Sequence, residues 1–108
     1  MKFTVSVLQR AQADAEQIFN WIADRSSQGA AHWGRAYDAA VLELSRDAAQ
    51  WGHAPENDEV DTELWQKFFK TRRGHTYRLL YTIIGNEVRV LRVRGPGQAP
   101  VTGEDVSE

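Results

Sequence analysis

The sequence predicts an α+β fold in which an N-terminal strand and a helical hairpin precede a three-stranded antiparallel meander. In residues 64–95, three alternating runs rich in β-branched and aromatic residues are separated by glycine turns at Gly74-His75 and Gly85-Asn86, a pattern typical of consecutive antiparallel strands. Upstream of these runs, apolar residues recur at helical spacing. A chain of 108 residues can bury one modest core, so we expect the helices to cover one face of the sheet.

Changes in the hydrophobic period place the elements before the meander. Residues 2–8 alternate and predict a short strand. Residues 12–25 have a helical period, with Asp14 and Glu16 expected in the first turn, where the helix dipole favours acids. A second helix is expected to follow, with Ser26 or its neighbour at position 27 as the N-cap.

Two-residue turns would fix how the strands of the meander pair. In that register Lys67 faces Thr82, and Thr82 faces Arg89. One face then mixes cations with an apolar row and is expected to be open; the row consists of Phe69, Leu80 and Leu91. The other face is expected to pack against the helices and carries Phe68, Leu79, Tyr81, Ile83, Val88 and Val90. A one-residue bulge would exchange the two faces.

Two segments are too polar to contribute to the predicted core. Residues 48–63 combine breaking residues with five acids and are expected to form a solvated connector. The spacing of these acids matches no known ligand loop, so neither a metal site nor a cofactor is expected. Residues 1–95 are expected to form a single domain. Residues 96–108 have few apolar groups and are expected to form a flexible tail.

Composition and charge limit the class of function. The absence of cysteine excludes a disulfide framework and thiolate metal sites. We find no signal-peptide pattern and no apolar run long enough to span a membrane, so a cytoplasmic location is expected. The formal net charge is −2, but residues 67–94 carry eight Lys and Arg against one acid. This basic segment permits a polyanionic partner that the net charge alone would argue against.

Four pieces of the chain, taken in order, together carry a resemblance to a known protein family. The first is an A-x-x-D-x-x-x-I-x-x-W-I helix from Ala11, and the second is a helix that contains Trp33. A G-x-x-Y-R-L-L-Y strand from Gly74 and a closing E-V-R-V-L-R-V-R-G strand from Glu87 complete the resemblance. The chain thus resembles the RelE/ParE family of bacterial toxins, the plasmid-stabilisation-like toxins of type II toxin–antitoxin modules, over residues 4–100, nearly the whole chain.

The resemblance implies a growth-inhibiting toxin that is neutralised by a cognate antitoxin in a hetero-oligomeric complex. RelE-like members cleave mRNA in the ribosome with basic strand residues, whereas ParE-like members poison DNA gyrase and are not enzymes. Gly95 stands where nuclease members often carry His or another basic residue, and the tail lacks their Tyr or His, while the long helical hairpin is closer to ParE-like toxins. The resemblance therefore does not decide between an mRNA endoribonuclease and a toxin that is not an enzyme. The alternative is a non-toxic protein-binding module that kept the fold.

The nuclease hypothesis assigns roles to three strand residues. By resemblance, Arg78 matches a catalytic arginine, and Lys67 and Lys70 lie near the strand that carries the family's lysines. RNA cleavage through the 2′-OH requires deprotonation of the nucleophile, stabilisation of a phosphorane and protonation of the leaving oxygen. A cluster of cations on one face could supply these functions.

The remaining basic and apolar residues predict binding surfaces. Contacts with the target or with nucleic acid are expected from Arg72, Arg73, Arg89, Arg92 and Arg94. Antitoxin contacts are expected at the open row of Phe69, Leu80 and Leu91, where an acidic and apolar peptide could cover exposed hydrophobic surface. The cations could instead pair with antitoxin acids, or be solvated strand residues that discourage edge pairing.

Overall fold

The computed structural model describes residues 2–108 and confirms the predicted α+β fold. Its main elements are β1 (Thr4–Val7), α1 (Gln9–Ala23), α2 (Ser27–Asp47), β2 (Trp65–Lys70), β3 (Thr76–Ile84) and β4 (Glu87–Arg94). Two short 3-10 turns, Ala48–Gln50 and Pro55–Glu59, lie between α2 and β2. Strands β2, β3 and β4 form the antiparallel meander, and β1 pairs in parallel with β4, giving the sheet order β1-β4-β3-β2.

The helical hairpin has the predicted form, but α1 begins earlier than expected. Because α1 starts at Gln9, Asp14 lies in the second turn rather than the first, and no acid lies in the first turn. Helix α2 is capped by Ser26, whose Oγ accepts a hydrogen bond from the N–H of Gly29 at 2.9 Å. This cap satisfies one of the free N–H groups at the start of the helix.

The helices cover one face of the sheet and enclose the larger part of the core. Five of the six side chains predicted for this face lie in or against that core; they are Leu79, Tyr81, Ile83, Val88 and Val90. The Tyr81 hydroxyl donates to the carbonyl oxygen of Ala48 at 2.7 Å, so the buried polar group has a partner. Alanines of both helices pack here, which allows helices and sheet to approach closely.

The opposite face is covered, contrary to the prediction that it is open. Leu80 and Leu91 are buried there beneath Ala54 of the connector and beneath Val101 and Val106 of the C-terminal segment. This packing is at odds with a flexible tail over residues 96–108. Two valines are enough to hold this segment against the sheet, because they cover an apolar patch that would otherwise be exposed to water.

The register between β2 and β3 also differs from the prediction. Thr82 pairs with Arg89 between β3 and β4, as predicted. Lys67, in contrast, pairs with Leu79 instead of Thr82. The reason is the turn: residues 71–75 connect the strands, where the sequence suggested a two-residue loop.

This change of register moves the side chains of β2 to the opposite faces. The shift is an odd number of residues, and successive side chains of a strand point to opposite sides. Phe69 therefore joins the helix-side core, while Phe68, predicted for that core, is 48% exposed. A separate irregularity between Leu80 and Tyr81 shifts the pairing at the end of β4.

Neither described helix combines the length and the apolar character needed to cross a membrane.

Candidate functional site

Lys67, one of the predicted catalytic residues, lies on the helix side of the sheet between two carboxylates of α2. Its Nζ is 2.9 Å from Oε1 of Glu43 and 2.6 Å from Oδ2 of Asp47. Only 3% of the side chain is exposed. The ammonium also lies 5.4 Å from the centroid of the Trp51 ring. Lys67 is therefore part of an internal ion-pair network and is not presented to a ligand at the surface.

Arg78 lies on the other side of the sheet and is bound by Glu56. Its Nη1 donates to Oε1 of Glu56 at 2.8 Å and to Oε1 of Gln66 at 3.1 Å, and its Nη2 donates to the second carboxylate oxygen of Glu56. The same Oε2 accepts the N–H of Val101 at 3.0 Å. The hydrogen bonds from Arg78 lower the pKa of Glu56 to about 2, against the opposing effect of burial.

Arg92 and Arg94 converge on two acids at the end of β4. Asp14 accepts from Nε and Nη2 of Arg92 at 2.7 and 2.9 Å, a two-point pair that raises the pKa of Arg92. Asp105 of the C-terminal segment lies 3.3 Å from Nη1 of Arg92 and 3.4 Å from Nη2 of Arg94. These two arginines therefore hold α1, β4 and the C-terminal segment together.

Arg89 is paired as well, although it is more exposed. Its Nε lies 3.1 Å from Glu87 and its Nη1 lies 2.6 Å from Glu108. Those two hydrogen bonds raise the pKa of Arg89. Five of the eight basic residues predicted to act on a target or substrate thus bind acids of the same chain; they are Lys67, Arg78, Arg89, Arg92 and Arg94.

The other three predicted cations lie together at the end of the β2–β3 hairpin. Lys70, Arg72 and Arg73 are exposed, and no acid within residues 2–108 forms an ion pair with them. Beside the two arginines is an open cleft of about 830 Å³ between the hairpin turn and the start of α2. We call it the hairpin cleft; it is lined by Trp21, Ile22, Ser26, Gln28, Gly29, His32, Trp33, Arg35, Ala36, Thr71, Arg72, Arg73, Gly74, His75 and Tyr77.

The predicted antitoxin row does not form. Phe69 lies on the helix side, whereas Leu80 and Leu91 lie on the other side under the C-terminal segment, and all three are buried. The β2 register and the packing of the C-terminal segment account for this difference. The large apolar side chains that are exposed lie elsewhere; they are Phe19, Trp21, Leu42, Phe68 and Ile84.

The histidines do not form a metal site. His53 lies 3.3 Å from Glu63 and packs edge-on against Trp65, whereas His32 and His75 line the hairpin cleft. Within residues 2–108, no group of three or more His, Cys, Asp or Glu could hold a metal ion. Among the acids of the connector, Glu56 pairs with Arg78 and Glu63 lies beside His53.

Comparison with known proteins identifies the family. The sequence model described as "ParE toxin of type II toxin-antitoxin system, parDE" matches residues 5–100. The chain belongs to the ParE toxin family. The resemblance drawn from the sequence is thereby confirmed. No protein with a curated description matches the chain.

A solved structure supports the fold of this ParE family member. A chain of the "Chromosomal ParDE TA system from P. aeruginosa" is similar with a TM-score of 0.65 and 18% sequence identity. The match covers 87% of this chain and 96% of that chain. At this level of identity, the likeness is one of fold.

The strand cations of this ParE family member are recognisable in its sequence, whereas the acids that pair with them are not. The acids that bind the predicted site residues are Asp14, Glu43, Asp47, Glu56, Glu87, Asp105 and Glu108. The uneven charge distribution was the available signal, since an acidic N-terminal part and an acidic tail flank a basic sheet. Arg35 and Trp21, which line the hairpin cleft, were not among the predicted site residues because helical periodicity gives no information on surfaces shared with a distant hairpin.

Proposed function

We propose that this chain is the toxin of a type II toxin–antitoxin module that arrests growth in the cytoplasm by binding DNA gyrase, and that a cognate antitoxin neutralises it. Membership of the ParE family supports the toxin role. The observation that carries the choice of gyrase over mRNA is the separation of Lys67 from Arg78. They lie on opposite faces of the sheet, and each is held by carboxylates of the same chain.

That separation argues against RNA cleavage on chemical grounds. A cleavage site must bring a base, a stabiliser of the phosphorane and an acid to one phosphate. Successive strand positions point to opposite sides of the sheet. Gln66 and Phe68, the immediate neighbours of Lys67 in β2, lie on the side of Arg78, so Lys67 lies on the other side. Of the three predicted catalytic residues, only Lys70 is exposed and has no acid partner among the described residues. A single cation cannot serve as base, phosphorane stabiliser and acid together.

We propose a different surface for the antitoxin contact. Leu80 and Leu91 cannot contact a partner while the C-terminal segment covers them. Phe19 of α1 and Leu42 of α2 are 40% and 68% exposed, and shallow depressions that share Tyr37 and Asp38 lie next to them. We therefore expect the antitoxin to bury these side chains of the helical hairpin.

Controlled expression in a bacterial host tests the proposal. The wild-type chain is induced beside Leu44→Asp, which places a carboxylate in the core at a fully buried position and serves as an unfolded control. Growth, the integrity of several transcripts and the amount of gyrase trapped on cleaved DNA are measured in the same cultures. Purified chain is then added to gyrase in a supercoiling assay.

The outcomes separate the candidate functions. Arrest with intact transcripts, trapped gyrase and loss of supercoiling in vitro supports the proposal. Arrest with cut transcripts and unaffected gyrase would show a ribonuclease. Folded protein without arrest in a host whose gyrase is inhibited by other ParE toxins would favour a non-toxic binding module. Coexpression of the protein encoded by a neighbouring short reading frame is expected to restore growth.

A further inference from the structure

The hairpin cleft differs in charge from the rest of the molecule. The chain has 15 acidic residues, yet none of the 15 residues that line the cleft is acidic. Arg35, Arg72 and Arg73 contribute three permanent positive charges, and His32 and His75 are also present. A local field of this kind attracts anions even when the net charge of the protein is slightly negative.

The cations of the cleft are also available, unlike those of the sheet. Arg35, Arg72 and Arg73 are exposed, and none of them forms an ion pair with an acid in the described part of the chain. The arginines of β3 and β4 are all paired. The basic sheet is therefore neutralised by acids of the same chain, whereas the cations at this end of the hairpin are available to an external anion.

Aromatic side chains accompany the cations. Trp21 is 58% exposed at the cleft, and the Arg25 guanidinium carbon lies 3.7 Å from its ring centroid. Tyr77 is half-buried in the lining, beside Trp33, whose buried Nε1 has no hydrogen-bond partner. Exposed aromatic rings next to arginines are what unpaired bases stack on, whereas an acidic peptide needs only the charges.

We propose that the hairpin cleft binds single-stranded nucleic acid, with backbone phosphates on Arg35, Arg72 and Arg73 and a base stacked on Trp21. The cleft volume of about 830 Å³ lies within the range of roughly 300–1,000 Å³ that is usual for small-ligand sites. It is large enough for part of a strand to enter while the rest continues along the surface. This inference goes beyond the proposed function, because inhibition of gyrase through protein contacts needs no nucleic acid.

The test is a titration of a fluorescein-labelled oligo-dT 12-mer with the full chain, read as fluorescence anisotropy at several NaCl concentrations. Wild-type protein should bind saturably, and three phosphate contacts predict a slope of about −2 in a plot of log K against log salt concentration, from roughly −0.7 per contact. Arg72→Ala/Arg73→Ala should weaken binding at least tenfold and reduce that slope by about 1.4. Trp21→Ala should weaken binding roughly 5- to 100-fold without changing the slope.

Lys2→Ala/Arg46→Ala is the matched control, because it removes the same charge at two exposed residues outside the cleft. It should bind within about twofold of wild type. An equal loss in this variant would show diffuse attraction and overturn the proposal, as would absence of binding by folded wild-type protein at 50 mM salt. The cleft would instead be a site for acidic peptides if a poly-glutamate peptide of matched charge displaced the oligonucleotide and Trp21→Ala left the affinity for the oligonucleotide unchanged. None of these measurements involves gyrase, so they stand apart from the toxin assay.

Discussion

Glu56 and Arg78 form a two-point ion pair that joins three separate parts of the chain. Nη1 of Arg78 lies 2.8 Å from Oε1 of Glu56, and Oε2 of Glu56 accepts the N–H of Val101 at 3.0 Å. The pair thus connects β3, the 3-10 turn Pro55–Glu59 and the C-terminal segment. Arg78, which the nuclease hypothesis makes catalytic, therefore helps to hold the C-terminal segment against the second face of the sheet.

This relationship predicts an acid-dependent loss of stability. The folded-state pKa of Glu56 is lowered from 4.5 to about 2, chiefly by the hydrogen bonds from Arg78. A carboxyl group whose pKa is lower in the folded state than in the unfolded state stabilises the fold when it is ionised. The contribution of Glu56 to the free energy of unfolding is therefore complete above about pH 4.5 and is lost as the pH falls toward 2. Thermal unfolding followed by circular dichroism from pH 7 to 2 measures it.

Glu56→Gln should remove this contribution. At pH 7 we expect it to lower the free energy of unfolding by about 1.5–3 kcal/mol, since the hydrogen bonds to a charged group are lost. Its stability should then fall less steeply than that of wild type between pH 4.5 and 2. Glu59→Gln, at an exposed residue of the same turn, is the control and should leave the wild-type profile unchanged. Parallel acid profiles for wild type and Glu56→Gln would contradict the assignment.

The C-terminal segment should contribute to stability. Val101 and Val106 are 3% and 2% exposed and complete the cluster around Leu80 and Leu91. Ending the chain after Gly95 should lower the melting temperature and increase binding of a hydrophobic dye, because the leucines become exposed. Val101→Ala and Val106→Ala should each cost about 1–2 kcal/mol, at roughly 0.8 kcal/mol per buried CH₂. A shortened chain that melts at the wild-type temperature would restore the flexible-tail interpretation.

The parts of the fold that the sequence predicted are those set by local periodicity. The order of elements, the capping of α2 by Ser26 and the pairing of Thr82 with Arg89 across the Gly85-Asn86 turn all follow from short-range patterns. In that turn Gly85 has a φ of 61°, a conformation that favours glycine. The turn after β2 is longer than its glycine suggested, and this one difference moved Lys67 and Phe69 to the helix side.

The candidate site was harder to predict because it depends on pairs far apart in the sequence. Periodicity identified Arg78 and Arg92 as strand residues but carried no information on whether Glu56 or Asp14 would meet them. Likewise, two valines in a polar segment gave no signal until the apolar patch that they cover was visible. The arginines of the hairpin cleft, which are unpaired within residues 2–108, differ from the paired arginines of the sheet only in these long-range contacts, which local sequence patterns do not encode.

Lys67 should behave as a structural residue. Lys67→Met keeps the length of the side chain but removes the partner of Asp47, one of whose oxygens is already buried without a hydrogen bond. We expect a loss of about 1–3 kcal/mol in the free energy of unfolding. Lys70→Met, at an exposed residue of the same strand, should have no measurable effect.

Activity separates this interpretation from a catalytic one. Growth arrest by Lys67→Met should persist at temperatures where the variant stays folded, because the proposed action on gyrase does not use the ammonium. A variant with wild-type stability and no toxicity would instead show that Lys67 acts on the target.

The helical hairpin should carry the antitoxin contact. Leu42→Asp places a charge at a residue that is 68% exposed, so it should leave the fold intact but prevent burial against a partner. We expect this variant to remain toxic when the antitoxin is coexpressed, and to bind purified antitoxin at least tenfold more weakly in calorimetric titration. Ile84→Asp, at a 49% exposed residue beside the β3–β4 turn, is the matched control and should still be neutralised. The reverse pattern would place the contact on the sheet.

Gly95 leaves no room for a side chain at the end of β4. A Cβ there would lie 2.6 Å from Cε2 and 2.9 Å from Cδ2 of Tyr77, well inside van der Waals contact. The Tyr77 ring is itself packed against Trp33 and Phe69, with centroid distances of 5.6 and 5.8 Å, so it cannot move away freely. Gly95→Ala should therefore destabilise the fold by about 1–3 kcal/mol through overpacking.

A double-mutant cycle tests the cause of that loss. Tyr77→Ala removes the clashing ring, so the cost of Gly95→Ala should largely disappear in the Tyr77→Ala background, giving a coupling energy of about 1 kcal/mol or more. Gly103→Ala, where a Cβ meets nothing within 4 Å, should be neutral in both backgrounds. Additive effects of the two substitutions would show that the loss arises elsewhere. Gly95→His should likewise destabilise the chain and confer no RNA cleavage, because the paired strand cations would remain bound to their acids.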